Sequence, residues 1–175
     1  MSDRLMERDT VMLFVVFSAG GDRYAIEAGR VHEVIPRVTI RPAPGTPSHV
    51  AGLMVCRGQV IPALDMSQWL TQMPALGRFS TRILVVSLKG GALDGRAVGL
   101  IAESVTQAVS LDAALFASGG IASAAFPFLG NVASDDQGLI RRVDVDRLVS
   151  PELVPVLFPD AAPAAASVIS GPASM

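Results

Sequence analysis

Apolar and polar positions along this chain fall into short runs separated by glycine and proline turns, which is the pattern of a strand-rich protein. Val11 to Phe17 (VMLFVVF) is rich in β-formers and ends at Ala19-Gly20-Gly21-Asp22, and Tyr24-Ala25-Ile26 reads as the return strand of a hairpin. Val31, Val34 and Ile35 then fall at helical spacing and stop at Pro36, which predicts a short helical segment. From Pro36 to Pro47 the chain is proline-rich and reads as extended. The next stretch, Val50 to Leu70, places Arg57-Gly58 in a tight turn between two apolar strands. Gly58 supplies the dihedral freedom that a reversal needs. Pro62 cannot donate to a ladder and marks an edge or a bulge. Asp65, with Gln68 three residues on, has the spacing of a helix-capping box and opens a short amphipathic helix.

The pattern then repeats. Ile83 to Val86 matches Leu13 to Val16, Gly90-Gly91 matches Gly20-Gly21, and Ala97 to Ile101 takes the place of the first return strand. Glu103 to Val109 follows as a run of mixed polarity. Phe128 to Ala133 echoes Val50 to Val55, Gly138 to Ile140 echoes Gly58 to Val60, and Asp144 to Leu148 resembles Asp65 to Leu70. The offset drifts by several residues. Hairpins separated by long crossings predict two small antiparallel barrels, because closure removes exposed strand edges. Residues 1–10 read as a lead, 11–158 as one domain of two lobes sharing a core, and 159–175 as an Ala/Pro-rich tail too poor in large apolar residues to order. Ala117 to Ala125 reads as a mobile loop. Ser150-Pro151-Glu152 fits a helix start, broken again at Pro155.

Composition narrows the function. Half of the 175 residues are hydrophobic, 17% are charged, and the formal charge is -2, so a core is available and clustered phosphate-binding cations are not. Nucleic acid is therefore not an expected partner. The N-terminal apolar run is too short for a signal peptide or a membrane span, and the chain reads as soluble and cytoplasmic.

Candidate chemistry is sparse. Cys56 is the only cysteine and reads as a small buried hydrophobe. His32 and His49 have no second His or Cys at metal-ligand spacing and read as surface or capping residues. Asp135-Asp136 reads as a turn, and Asp144 with Asp146 as a helix start, in preference to a cation site. No catalytic residue, metal or cofactor is expected. Arg57 differs: a guanidinium at a turn tip between apolar strands is a rigid donor fork beside surface that can seat a partner. Glu33 is the carboxylate placed to orient it if its segment packs near this hairpin. The competing reading is a small cytoplasmic β-barrel enzyme using Asp65, His49 or Cys56, and it lacks a second half of a site.

These blocks resemble the CheW-like domain family. Phe14 to Phe17 with Gly21 to Ile26 is similar to the family's opening strands, and Val31-His32-Glu33-Val34 to its "V-x-E-V". Gly52-Leu53 through Asp65-Met66 resembles the "GL-x-N-L-RG-x-V-x-P-V-x-D-L" block, and Val98 to Val105 resembles "VGL-V-V-D-x-V". The resemblance covers about residues 11 to 150. It implies a mainly β fold of two SH3-like five-stranded barrel lobes with a few short helices. It also implies a non-catalytic adaptor that couples methyl-accepting receptor tips to a CheA-type histidine kinase, binding the kinase's CheW-like regulatory domain. Carried over by position, the receptor-facing residues are Val31, Glu33, Gly52, Arg57, Gly58 and Gly99. Val55, Cys56 and Glu103 stand where the family has Asn, Leu and Asp. Such departures fit an auxiliary protein of a chemosensory pathway, such as the WspB type of surface sensing, with the flagellar adaptor as the other option.

Overall fold

The computed structural model describes residues 11–106, 108–116 and 121–161. Ten strands account for most of them: β1 (Val11–Ala19), β2 (Asp22–Glu27), β3 (Val31–Pro36), β4 (Val50–Cys56), β5 (Gln59–Asp65), β6 (Arg82–Ser87), β7 (Ala97–Ala102), β8 (Val109–Asp112), β9 (Leu129–Asp135) and β10 (Gly138–Val143). Two short helices, α1 (Met66–Thr71) and α2 (Val154–Leu157), and four single 3-10 turns complete them. The lead, residues 1–10, and the tail beyond Ala161 lie outside the described residues, as do positions 117–120 of the expected loop.

The strands form two five-stranded sheets, ordered β8-β1-β2-β10-β9 and β3-β6-β7-β5-β4. Replacing each strand of one half by its counterpart in the other (β1 by β6, β2 by β7, β3 by β8, β4 by β9, β5 by β10) converts one order into the other. The repeat is therefore real, and its two halves are interlocked. Each lobe takes a two-strand hairpin from one half and three strands from the other. Two expectations need correction. Neither sheet is wholly antiparallel, because the exchange pairs β5 with β7 and β10 with β2 in parallel. The segment Val31, Val34, Ile35 is strand β3, not a helical turn: half-buried Val31, Glu33 and Ile35 alternate with exposed neighbours, its three β-branched residues favour extended backbone, and it pairs with β6.

The exchange explains the unbroken apolar runs of β1 and β6. Phe14, Val16 and Ala25 point into the interior of one lobe with Ala133 and Ile140. Met54, Ile61, Ile83, Val85 and Ile101 fill the other. The opposite faces of the same strands, through Val15, Phe17, Ile26, Leu84, Val86 and Leu100, meet in a third cluster shared between the lobes. A strand buried on both faces has no polar positions to alternate. Trp69 on α1 lies in this junction, stacked on His49 (centroids 4.1 Å apart) and tilted against Phe128 (4.5 Å).

Local signals elsewhere behave as the residues dictate. Asp65 caps α1, its carboxylate accepting from the Gln68 N–H at 3.0 Å. β7 pairs with β5 only from Ala63 onward, so Pro62 sits where β5 is still an edge. Pro155 does not break α2; it occupies the first turn, where its missing N–H costs nothing.

Candidate functional site

The β4–β5 hairpin closes through the two residues Arg57 and Gly58, between the paired residues Cys56 and Gln59. Both have positive φ, 49° and 78°, the signature of a type I′ turn. Glycine takes that conformation freely, whereas arginine is strained there. The turn thus displays Arg57 at some cost to the fold. The Arg57 side chain, 79% exposed, reaches across to β3, donating from Nε to Glu33 Oε2 at 2.8 Å and from Nη2 to Glu33 Oε1 at 3.2 Å. β3 and β4 are the two edges of their sheet, so this fork joins the edges on the outside of the barrel. The hydrogen bonds from Arg57 hold the Glu33 carboxyl below the usual carboxylate range.

Beside this pair the hairpin turns apolar side chains outward. Val50, Gly52 and Met54 of β4 face inward; Leu53 and Val55 face out, with Val60 opposite Val55 on β5. Val55 and Val60 are 62% and 65% exposed. The segment 38–42 lies along the same edge through two backbone bonds between Arg41 and Leu53, at 2.8 and 2.9 Å. Together they border an open groove of about 550 Å³ lined by Val38, Thr39, Leu53, Val55 and Val60. A smaller recess of about 310 Å³ lies against His32, Glu33, Cys56 and Arg57.

The residues carried over from the resemblance separate into two groups. Glu33, Arg57 and Gly58 are at the surface, and half-buried Val31 begins the strand that carries Glu33. Gly52 and Gly99 are buried and act by what they leave out. A Cβ on Gly52 (φ 138°) would stand 2.0 Å from the Arg41 carbonyl oxygen, so only glycine lets the 38–42 segment close on β4. A Cβ on Gly99 would meet Met54 Sδ at 2.8 Å. These two glycines shape the groove from beneath. Leu53, Val55 and Val60 escaped the sequence reading, although centring the hairpin on Arg57-Gly58 puts Val55 opposite Val60 and points both outward.

The residues of the enzyme reading are committed elsewhere. Both Asp65 oxygens are occupied, one by the Gln68 N–H and the other by the Ala75 N–H at 3.0 Å. His49 is not a surface residue. Its ring lies nearly parallel to Trp69, burial pushes its pKa down, and its buried Nε2 has no partner among the described residues. Cys56 is half-buried rather than fully buried, since it is the last inward position of β4, at the end of the strand beside the turn. No group of three or more His, Cys, Asp or Glu is placed to hold a metal ion among the described residues, and no helix there is long and apolar enough to cross a membrane.

A double barrel with a displayed charge pair and an apolar groove is the class that this geometry defines. The chain belongs to the CheW-like domain family, whose model matches residues 13–152. It is 23% identical to the "Chemotaxis protein CheW" of Klebsiella aerogenes over 141 residues, covering 79% of this chain and 82% of that protein. It is 30% identical to "Protein FrzA" of Myxococcus xanthus over 92 residues, 53% of this chain and 54% of that protein. Its fold matches the scaffolding protein TtCheW from Thermoanaerobacter tengcongensis with a TM-score of 0.70, at 22% identity over 85% of this chain and 94% of that one. The family is one of non-catalytic scaffolds.

Proposed function

We propose that this chain is a cytoplasmic adaptor that couples methyl-accepting chemotaxis-type receptors to a CheA-type histidine kinase through the kinase's CheW-like regulatory domain. The observation that carries the reading is the Glu33–Arg57 fork, two residues along the hairpin from the exposed Val55 and Val60 that line the apolar groove. A strained arginine, oriented by a carboxylate and bordered by exposed valines, has the anatomy of an interface anchor: apolar area for affinity and a planar donor for register. In this reading Val31, Glu33, Arg57 and Gly58 meet the receptor's helical tip, while Gly52 and Gly99 hold the backbone beneath. Val55 and Cys56, which replace the family's Asn and Leu beside Arg57, favour a chemosensory pathway other than flagellar chemotaxis.

Calorimetric titration of the chain into the regulatory domain of a CheA-type kinase from the same organism tests the coupling. Saturable binding near one to one supports it; no complex with any candidate kinase removes it. For the receptor side, Arg57→Ala should weaken binding of a receptor-tip fragment about ten-fold with circular dichroism and Tm unchanged, since a turn-tip side chain buries little area. An Arg57→Ala protein that binds the receptor normally would take the site away from this hairpin.

A further inference from the structure

Between α1 and β6 the chain makes a second protruding turn, Arg78 to Thr81, which the reading above does not use. Phe79 at its tip is 98% exposed. The turn is not slack. The Thr81 N–H donates to the Arg78 carbonyl at 3.0 Å, and the buried Thr81 hydroxyl donates to the Leu76 carbonyl at 2.5 Å. Upstream, the Asp65 carboxylate takes the Ala75 N–H and the Glu103 carboxylate takes the Leu76 N–H at 3.1 Å. The Val105 N–H closes on the Ser80 carbonyl at 3.0 Å. Five hydrogen bonds thus fix a loop whose tip puts an aromatic ring into water, an arrangement that packing within the chain does not reward.

The surroundings are cationic. The Arg37 guanidinium lies against Gly77, where a Cβ would come within 3.2 Å of Nη1. Arg82 pairs with Pro36 in the β3–β6 ladder and so neighbours Arg37. Arg37, Arg78 and Arg82 make no ion pair among the described residues. No Asp or Glu occurs between Glu33 and Asp65, or between Asp65 and Asp94. The carboxylates that reach this loop, Asp65 and Glu103, are engaged by its backbone N–H groups.

We propose that this turn is the anchor of a separate docking surface, one that takes an acidic protein segment carrying an apolar side chain. Phe79 supplies the apolar contact, and the three arginines supply complementary charge and bidentate donors for carboxylates. An anionic membrane is the less fitting occupant. Lipid-recognising clusters hold about four to eight basic residues, the turn offers three, and the chain as a whole is acidic. The surface lies at the far end of β3 from Val31, and its occupancy does not depend on the adaptor reading.

The test is fluorescence anisotropy with a fluorescein-labelled peptide, Glu-Asp-Glu-Leu-Phe-Glu-Asp-Glu, against the same peptide with every acid replaced by serine. The acidic peptide should bind saturably, and Phe79→Ser and Arg78→Glu should each weaken it about ten-fold while circular dichroism stays unchanged. Arg147→Glu, a charge-matched change at an exposed arginine elsewhere, should leave binding as it is. No saturable binding, equal binding of the serine peptide, or equal weakening by Arg147→Glu overturns the proposal. Sedimentation with phosphatidylserine vesicles in the absence of peptide binding would assign the surface to lipid and overturn it as well.

Discussion

The two lobes are the same construction made twice, and they differ where the chain meets solvent. If the capping residues Asp65 and Asp144 are aligned, the strand registers pair Met54 with Ala133 and Ile61 with Ile140, all buried. The backbone agrees, since Asp65 N–H donates to the His49 carbonyl and Asp144 N–H to the Phe128 carbonyl, each at 2.8 Å. The outward positions do not match in kind. Leu53, Val55, Val60 and Pro62 of one hairpin become Val132, Ser134, Leu139 and Arg141 of the other. Both lobes carry a forked arginine–carboxylate pair, but Arg23 and Asp135 (2.7 and 3.0 Å) are each about a fifth exposed and tie β2 to β9, whereas Arg57 stands in solvent. Interior positions are held alike by packing, while outward positions are free to diverge. The divergence is where a partner-binding role can be read.

The most disruptive way to break this comparison is at Gly52. Its counterpart, Asn131, has a side chain and donates to the Phe116 carbonyl at 3.3 Å. Gly52→Ala should cost about 2–4 kcal/mol in urea unfolding, because the new Cβ meets backbone that must move. Asn131→Ala should cost about 1 kcal/mol, one modest hydrogen bond. Similar losses would mean that the 38–42 segment does not press on β4 as described. A sharper comparison exchanges the outward residues. Val55→Ser, which copies Ser134, should weaken partner binding about ten-fold without loss of stability, and Ser134→Val should leave binding unaltered. The reverse ranking would move the docking face to the other lobe.

The smallest effect concerns acid. Arg23 holds the Asp135 carboxyl below its ordinary value through their hydrogen bonds. A depressed folded-state pKa contributes stability that is fully present above the ordinary pKa of about 4 and lost as pH falls through the lower folded value. Tm of the wild type should therefore fall more steeply than that of Asp135→Asn below about pH 4. Parallel acid limbs would show that this pair adds nothing to the fold.

Much of the architecture was legible because it is local. Hairpin turns, the Asp65 cap and the edge position of Pro62 each follow from residues within a few positions of one another. The Glu33–Arg57 pair was legible too, since one carboxylate and one displayed guanidinium leave little choice of partner. The exchange between halves was not, because a strand pattern records which faces are buried and not which strand lies alongside. The repeat itself was read one residue out of register in places: Ile83 corresponds to Phe14, not Leu13, and Gly52 to Asn131, not Gly130. In a strand, a slip of one residue turns every side chain to the opposite face, and that alignment set exposed Val60 against buried Ile140. The β3 segment misled for a related reason, since Val31, Val34 and Ile35 fit a helical period while Val31, Glu33 and Ile35 fit a strand. Phe79 was overlooked in a stretch with no periodicity, although an aromatic between Arg78 and Ser80 among turn residues is itself a signal.

The exchange of hairpins also sets the order in which the molecule can be made. β1 and β2 leave the ribosome early, yet β1 waits for Val109 to Asp112 and β2 for Ile140 to Arg142 before either has its second neighbour. The β3–β7 sheet is contiguous in the chain and has all its strands by Ala102, whereas the lobe of β1 and β2 must close a long loop around it and does so only once β8, β9 and β10 arrive. Folding should be slow for a chain of this length, with the flanks of the first hairpin open throughout synthesis. Truncations that remove β10 should then abolish the lobe of β1 and β2 outright and weaken the other through the core that they share.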